Sequence, residues 1–190
     1  MIHLKHPTAP AWVEAVLDDF DAFLLDHAAC ERKASATAMS FVAHYPDRPE
    51  LVDGMITLAR EELEHFHEVY RRIAARGLVL PPDTRDPYIR ALLALVRRDS
   101  EVYLLDRLLV FGLVEARGCE RFALLAEALE PGELQTFYAD LSRSEARHRA
   151  LFLRLARCYY DEEVVGTRAE ALSEAEAHIV AELPLRPAVH

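Results

Sequence analysis

Apolar residues recur along most of the chain at alternating steps of three and four, the period of a helix with one buried face. The pattern predicts helices over 11–44, 48–76, 87–98, 100–129, 132–160 and 168–182. The intervening residues are helix breakers. Tyr45-Pro46-Asp47-Arg48-Pro49-Glu50 is one break, with Asp47 and Glu50 spaced as a capping box. Gly77 to Pro87 reads as a loop, and Asp86-Pro87 as the N-cap and first turn of the next helix. Glu130-Pro131-Gly132 is a tight break. Gly166-Thr167 reads as another, and residues from about 184 as a loose tail. Four helices are long enough to form two antiparallel hairpins. The expected architecture is all-α: one domain over 1–190, a four-helix bundle with additional short helices. Breaks at intervals of roughly 30 residues disfavour the rival, an extended coiled coil.

The stripes predicted to face inward carry charge. The first helix gives Val13, Leu17, Phe20, Leu24, His27, Glu31, Ala34, Ala38 and Phe41. The second gives Leu51, Met55, Leu58, Glu62, His65 and Val69. The later pair gives Leu104, Leu108, Phe111, Glu115 and Phe122, then Leu134, Tyr138, Leu141, Glu145, His148 and Phe152. Each stripe is apolar except near its middle, where it carries Glu or Glu-x-x-His. An isolated buried carboxylate costs several kcal/mol, so four of them call for a cation. A second Glu-x-x-His spacing, Glu64 with His67, lies on the polar stripe Arg60, Glu64, His67, Arg71 and is assigned to solvent.

The heights agree. Glu31 lies 15 residues before Pro46 and Glu62 lies 15 after Asp47; Glu115 lies 15 before Glu130 and Glu145 lies 14 after Pro131. An antiparallel hairpin sets residues equidistant from its turn side by side, here about 22 Å along each arm at ~1.5 Å per residue. The chain is thus an internal repeat of Glu followed by Glu-x-x-His. Glu31, Glu62, His65, Glu115, Glu145 and His148 form the donor set of a carboxylate-bridged dinuclear site in a ferritin-like bundle. Carboxylate-rich N/O donors suit iron or manganese better than zinc, and two iron ions that react with O2 are the reading adopted. His27 is either a satisfied core histidine or a group beside the ligands or substrate. Phe20, Leu24, Leu108 and Phe111 are core residues that could also line a pocket. Asp106, Glu61 and Asp140 are candidates to orient His65 and His148.

Composition narrows the class. Apolar residues make up 52% and charged residues 28% of the 190, enough for a sizeable core. No apolar run reaches the ~18 residues of a membrane span, and the N-terminus lacks the pattern of a signal peptide. The odd, widely spaced Cys30, Cys119 and Cys158 fit a reducing compartment, hence a cytoplasmic protein with no membrane partner. No glycine-rich nucleotide motif is present.

The runs His27-Ala-Ala-Cys30-Glu31-Arg32-Lys33-Ala34, Glu61-Glu62-Leu63-Glu64-His65-Phe66, Glu115-Ala-Arg117 and Ser144-Glu145-Ala-Arg147-His148 resemble those of the bacterial tRNA 2-methylthio-N6-isopentenyladenosine hydroxylases. The resemblance covers nearly the whole chain. It implies a non-haem di-iron monooxygenase that hydroxylates the isopentenyl side chain of the modified adenosine beside the anticodon. The implied reaction uses O2 and two electrons from an external reductase, with the six residues above as iron ligands. Rival readings are a ferritin-like iron-storage protein and a small-molecule di-iron oxidase or peroxidase. The hydroxylase reading expects a monomer or small oligomer.

A tRNA partner conflicts at first sight with a net charge of −10. The charge is uneven, however. Residues 71–98 carry net +5, residues 143–157 net +4 and residues 161–190 net −5. Arg85, Arg90, Arg97 and Arg98 are the candidates for contact with tRNA.

Overall fold

The computed structural model describes residues 2–190, and among these there are seven helices and no strand. They are α1 (Pro10–Asp18), α2 (Phe20–His44), α3 (Pro49–Ala75), α4 (Pro87–Ala94), α5 (Ser100–Ala128), α6 (Glu133–Tyr159) and α7 (Glu162–Glu182). The chain divides into two units. One comprises Glu14–Thr84 and Arg186–Val189 and is built on the α2/α3 hairpin. The other comprises residues 2–13, Arg85–Leu185 and His190, and is built on the α5/α6 hairpin with α4 and α7 packed against it.

The predicted helix 11–44 is two helices, α1 and α2. Asp19 leaves helical geometry (φ −136°, ψ 66°), and its side chain accepts the Ala22 N–H at 3.1 Å, so it caps α2. The break rotates the stripe before it. Trp12 and Val16 are buried where Val13 and Leu17 were expected, and Leu17 is exposed. Beyond the break the predicted face holds, with Leu24, His27, Glu31, Ala38 and Phe41 all buried. The Asp47/Glu50 capping box does not form: Arg48 occupies the cap position without a side-chain bond, and Pro49 opens α3. At the far end of α3, Gly77 takes a left-handed φ of +72°. Its N–H meets Ala74 O at 3.0 Å and the Leu78 N–H meets Ile73 O at 3.2 Å, a Schellman closure that starts the expected loop.

The second unit begins as predicted, with the Asp86 carboxylate accepting from Tyr88 N (2.7 Å) and Ile89 N (3.2 Å). Helix α4 ends at Ala94, short of the predicted 98, because Leu95 to Asp99 form a linker and Asp99 caps α5. Gly166-Thr167 is no break. Helix α7 starts at Glu162 and runs through Gly166, which costs only about 1 kcal/mol relative to Ala in a helix interior. At Gly112 on α5, an added Cβ would lie 2.6 Å from the Ile2 Cδ1, so glycine there admits the N-terminal segment against the helix. The tail after Pro184 is not loose. Ala188 and Val189 are buried, and the Val189 N–H donates to Asp26 at 2.8 Å. His190 stacks on Tyr88 with ring centroids 5.1 Å apart and an interplanar angle of 5°.

Candidate metal-ligating triads

Within the α2/α3 unit, a 3.6-residue period sets His27 and Glu31 on one face of α2, and Glu62 and His65 on one face of α3. Glu31, Glu62 and His27 are buried, and each of Glu31, Glu62 and His65 offers a donor atom within 4.8 Å of the others. His65 turns Nδ1 towards both carboxylates, 3.7 Å from Glu31 Oε2 and 3.5 Å from Glu62 Oε2. The remaining Glu31 oxygen, Oε1, is 2.7 Å from His27 Nε2. His27 is therefore a core histidine satisfied by a predicted ligand, which joins the two readings left open by the sequence.

The α5/α6 unit repeats the arrangement. Glu115, Glu145 and His148 are buried, with donor atoms again within 4.8 Å of one another. His148 Nδ1 lies 3.7 Å from Glu115 Oε2 and 3.8 Å from Glu145 Oε2. Its other nitrogen, Nε2, is 3.5 Å from Ser144 Oγ, and Arg147 Nη2 donates to that hydroxyl at 3.0 Å.

Both triads fit a cation. Four N···O separations of 3.5–3.8 Å are too long for good hydrogen bonds. They are close to those of donors that share an ion: atoms ~2.1 Å from one metal at angles of ~90–120° lie ~3.0–3.6 Å apart, so small side-chain shifts would bring each set onto one cation. The electrostatics agree. Burial opposes ionisation of Glu31, yet the close His27 contact and the neighbouring His65 imidazole prevail and hold its carboxyl well below the usual range. Burial likewise opposes charging His65, and Glu31 and Glu62 prevail in pushing its pKa up. A divalent ion between these donors would compete with a proton for the imidazole. Carboxylate-rich N/O donors suit iron or manganese.

The other predicted residues are placed as follows. Leu24 and Leu108 are core. Phe20 packs against Phe23 (5.8 Å) beneath the Arg76 guanidinium (5.3 Å), and Phe111 stacks on Phe152 (6.2 Å). None of the four lines the cavity of about 250 Å³ in the α2/α3 unit, whose walls include Leu25, Ala28, Arg32, Phe66 and Leu80. Glu64 and His67 are exposed, as the polar stripe required. Arg85, Arg90 and Arg98 are exposed, but Arg97 is engaged: its backbone N–H, Nε and Nη2 bond Asp106 at 2.9, 3.0 and 2.7 Å. Asp106 is therefore a clamp for the α4–α5 linker and not a partner for a ligand histidine. Asp140 is exposed and paired with Arg143.

Compared with known proteins, the chain matches the family described as tRNA-(MS2IO6A)-hydroxylase (MiaE) over residues 1–190. The chain belongs to the MiaE family. A member from Pseudomonas putida, named tRNA 2-(methylsulfanyl)-N(6)-isopentenyladenosine(37) hydroxylase, is 42% identical over 174 residues, covering 92% of this chain and 84% of the relative. One of the same name from Salmonella typhimurium is 31% identical over 226 residues, covering 93% and 83%. Among solved structures, protein 43 with aldehyde deformylating oxygenase activity from Synechococcus superposes with a TM-score of 0.90 at 40% identity, covering 97% of this chain and 92% of that one. The all-α, ferritin-like fold expected from the helical repeat is thus the fold of this MiaE-family chain.

Two charged clusters escaped the sequence reading. Arg117, fully buried, donates from Nε (3.0 Å) and Nη2 (2.8 Å) to Glu176 Oε1, which also accepts from Tyr88 OH at 3.0 Å. The same guanidinium reaches Thr8 Oγ1 (3.1 Å), His6 O (2.8 Å) and Glu120. Arg168 joins Arg97 on Asp106, donating at 2.9 and 2.7 Å, and holds Leu95 O at 2.8 Å. A signal existed. Leu104-Leu105, Leu108 to Val110 and Leu113 spread apolar residues around most of α5, so a charge on that helix needs a partner.

Proposed function

We propose that this chain hydroxylates the isopentenyl group of 2-methylthio-N6-isopentenyladenosine in tRNA, at a di-iron centre held by Glu31, Glu62, His65, Glu115, Glu145 and His148. The observation that carries the reading is the pair of matching Glu-Glu-His triads in a chain 42% identical to a named hydroxylase. The net reaction takes C–H, O2, two electrons and two protons to C–OH and water. The isopentenyl C–H bond offers no acidic proton to a general base, so iron held by these six residues would supply the oxidising chemistry. The protein supplies the rest. Its four glutamates balance the ionic charge, His27 fixes one Glu31 oxygen, and buried Phe23, Leu24 and Leu108 keep water away from the ligand helices. An external reductase furnishes the electrons. Arg85, Arg90 and Arg98 supply phosphate contacts, and Arg97 sets the linker that presents Arg98. The setting is cytoplasmic, where tRNA is modified, and no helix among the described residues is long and apolar enough to cross a membrane.

The test is iron-loaded protein incubated with tRNA bearing the isopentenylated nucleoside, O2 and a reductant. Nucleoside mass spectrometry should show the gain of one oxygen atom, and its absence rejects the reading. The activity named for the solved neighbour favours one second reading, an aldehyde deformylating oxygenase. The same preparation given a medium-chain aldehyde decides it: deformylated product without tRNA hydroxylation would replace the first reading.

A further inference from the structure

Helix α6 carries two faces with opposite chemistry. Glu145 and His148 point inward with Leu141 and Phe152. On the other side Arg143, Arg147 and Arg154 are exposed at steps of four and seven, with Arg157 one turn further. At ~1.5 Å per residue this basic strip is about 21 Å long. The segment 143–157 holds five arginines and a single acid, Glu145, which lies on the buried face. Arg143 pairs with Asp140, and Arg157 with Glu162 at 2.6 Å.

Ser144 sits at the seam. At 100° per residue it lies about 40° around the helix from His148 and about 60° from Arg147. Its hydroxyl takes a hydrogen bond from exposed Arg147 at 3.0 Å and meets His148 Nε2 at 3.5 Å, the nitrogen turned away from Glu115 and Glu145. A chain of side-chain contacts thus leads from the strip to a proposed ligand imidazole.

The geometry points to the Arg143–Arg157 face of α6 as the docking surface for an acidic one-electron carrier protein, with Ser144 positioning His148 for electron entry. The inference rests on the di-iron reading above, which requires two electrons per turnover. In each docking event the reduced carrier loses one electron and the oxidised metal pair gains one, so two events complete the reduction. The partner is acidic because the strip is basic, and charge complementarity speeds encounter. Polyanionic RNA would meet the same charge. The Arg147–Ser144–His148 connection favours the electron carrier, because phosphate binding has no use for a path to a ligand.

The experiment titrates the iron-loaded full chain with an oxidised plant-type 2Fe–2S ferredoxin over a salt series, and separately with substrate tRNA. The R143E/R154E double variant should bind ferredoxin roughly tenfold more weakly, with tRNA affinity and iron content unchanged. Ser144→Ala should keep ferredoxin affinity, and its reduction is compared with the parent on preparations matched for bound iron. Its stopped-flow reduction by reduced ferredoxin should be slower while reduction by dithionite is unaltered, and Ser144→Thr should restore the rate. Unchanged ferredoxin affinity in the double variant overturns the inference, as does a loss of tRNA affinity in its place. The two readings separate cleanly. Failure of dithionite-driven tRNA hydroxylation in the parent chain removes the proposed substrate, whereas ferredoxin binding and reduction are read without tRNA.

Discussion

The α2/α3 and α5/α6 hairpins carry the same triad on different supports. In the first, one Glu31 oxygen is pinned by His27, and the His65 side chain keeps 17% of its surface exposed. In the second, His148 keeps only 4%, and its outer nitrogen meets a serine. Helix α3 leaves Ile56, Leu63 and Tyr70 exposed along its outer face, at heptad spacing. Helix α5 is buried nearly all round, with α4 and α7 packed against it, and it holds Asp106 and Arg117 in full burial. The repeat therefore duplicates the ligands and not their surroundings. Ligand spacing is set by the helix period, whereas rigidity and access are set by what packs behind each helix.

The sharpest way to break this comparison is to remove one carboxylate from each hairpin. Glu31→Ala and Glu115→Ala should each reduce iron content per chain and abolish hydroxylation, a loss beyond the ~10–100-fold typical of residues behind the ligands. Iron analysis that leaves either variant at the parent content would separate that residue from the site. Next in size is the brace unique to the α5/α6 unit. Arg117→Ala strands buried Glu176 and should cost about 3–5 kcal/mol, read as a fall in Tm by calorimetry. A stability within about 1 kcal/mol of the parent would show that the cluster relaxes with little cost.

His27 tests the asymmetry in the ligands themselves. His27→Ala should weaken metal affinity about 10–100-fold, because Glu31 loses the contact that fixes its free oxygen. Equal metal binding by His27→Ala and parent would make that contact incidental.

Acid titration separates the units further. Burial works against ionised Asp106, but the bonds from Arg97 and Arg168 prevail and hold its pKa at about 2, below the ordinary 3.8. A lowered carboxylate pKa contributes stability that is complete above the unfolded value. In metal-free protein this contribution should persist above about pH 4 and fade as the pH drops towards 2. Denaturant melts of parent and Asp106→Asn should converge over that window, and parallel curves would reject the assignment. The smallest effect belongs to the surface. Arg98→Glu should weaken tRNA binding several-fold at low salt and lower the salt slope by about one. Arg97→Glu should instead act mainly through stability, by opening the linker clamp.

Much of this was legible in the chain. The apolar period and the breaks at Pro46, Pro87 and Pro131 give both hairpins, because long helices with buried faces leave a strong periodic trace. The triads were legible because a carboxylate on an apolar stripe is anomalous on its own and doubly so when repeated at equal heights. The break at Asp19 was hidden, since a helical period continues through it and the cap depends on one side-chain rotation. Arg117 with Glu176 and Asp106 with Arg168 were hidden for another reason. Their partners are 59 and 62 residues apart, and each residue alone resembles a solvated charge.

Those long separations also order the birth of the fold. The α2/α3 hairpin is complete once residue 84 has left the ribosome, with Glu31, Glu62 and His65 already in hand. Helix α5 emerges with Asp106 and Arg117 awaiting Arg168 and Glu176, which come only with α7. Packing α5 into an apolar interior before then would bury both charges without these partners. During synthesis, domains generally settle from the N-terminus. In this chain the later unit gains the last partners of its buried charges only when its final helix, α7, has been made.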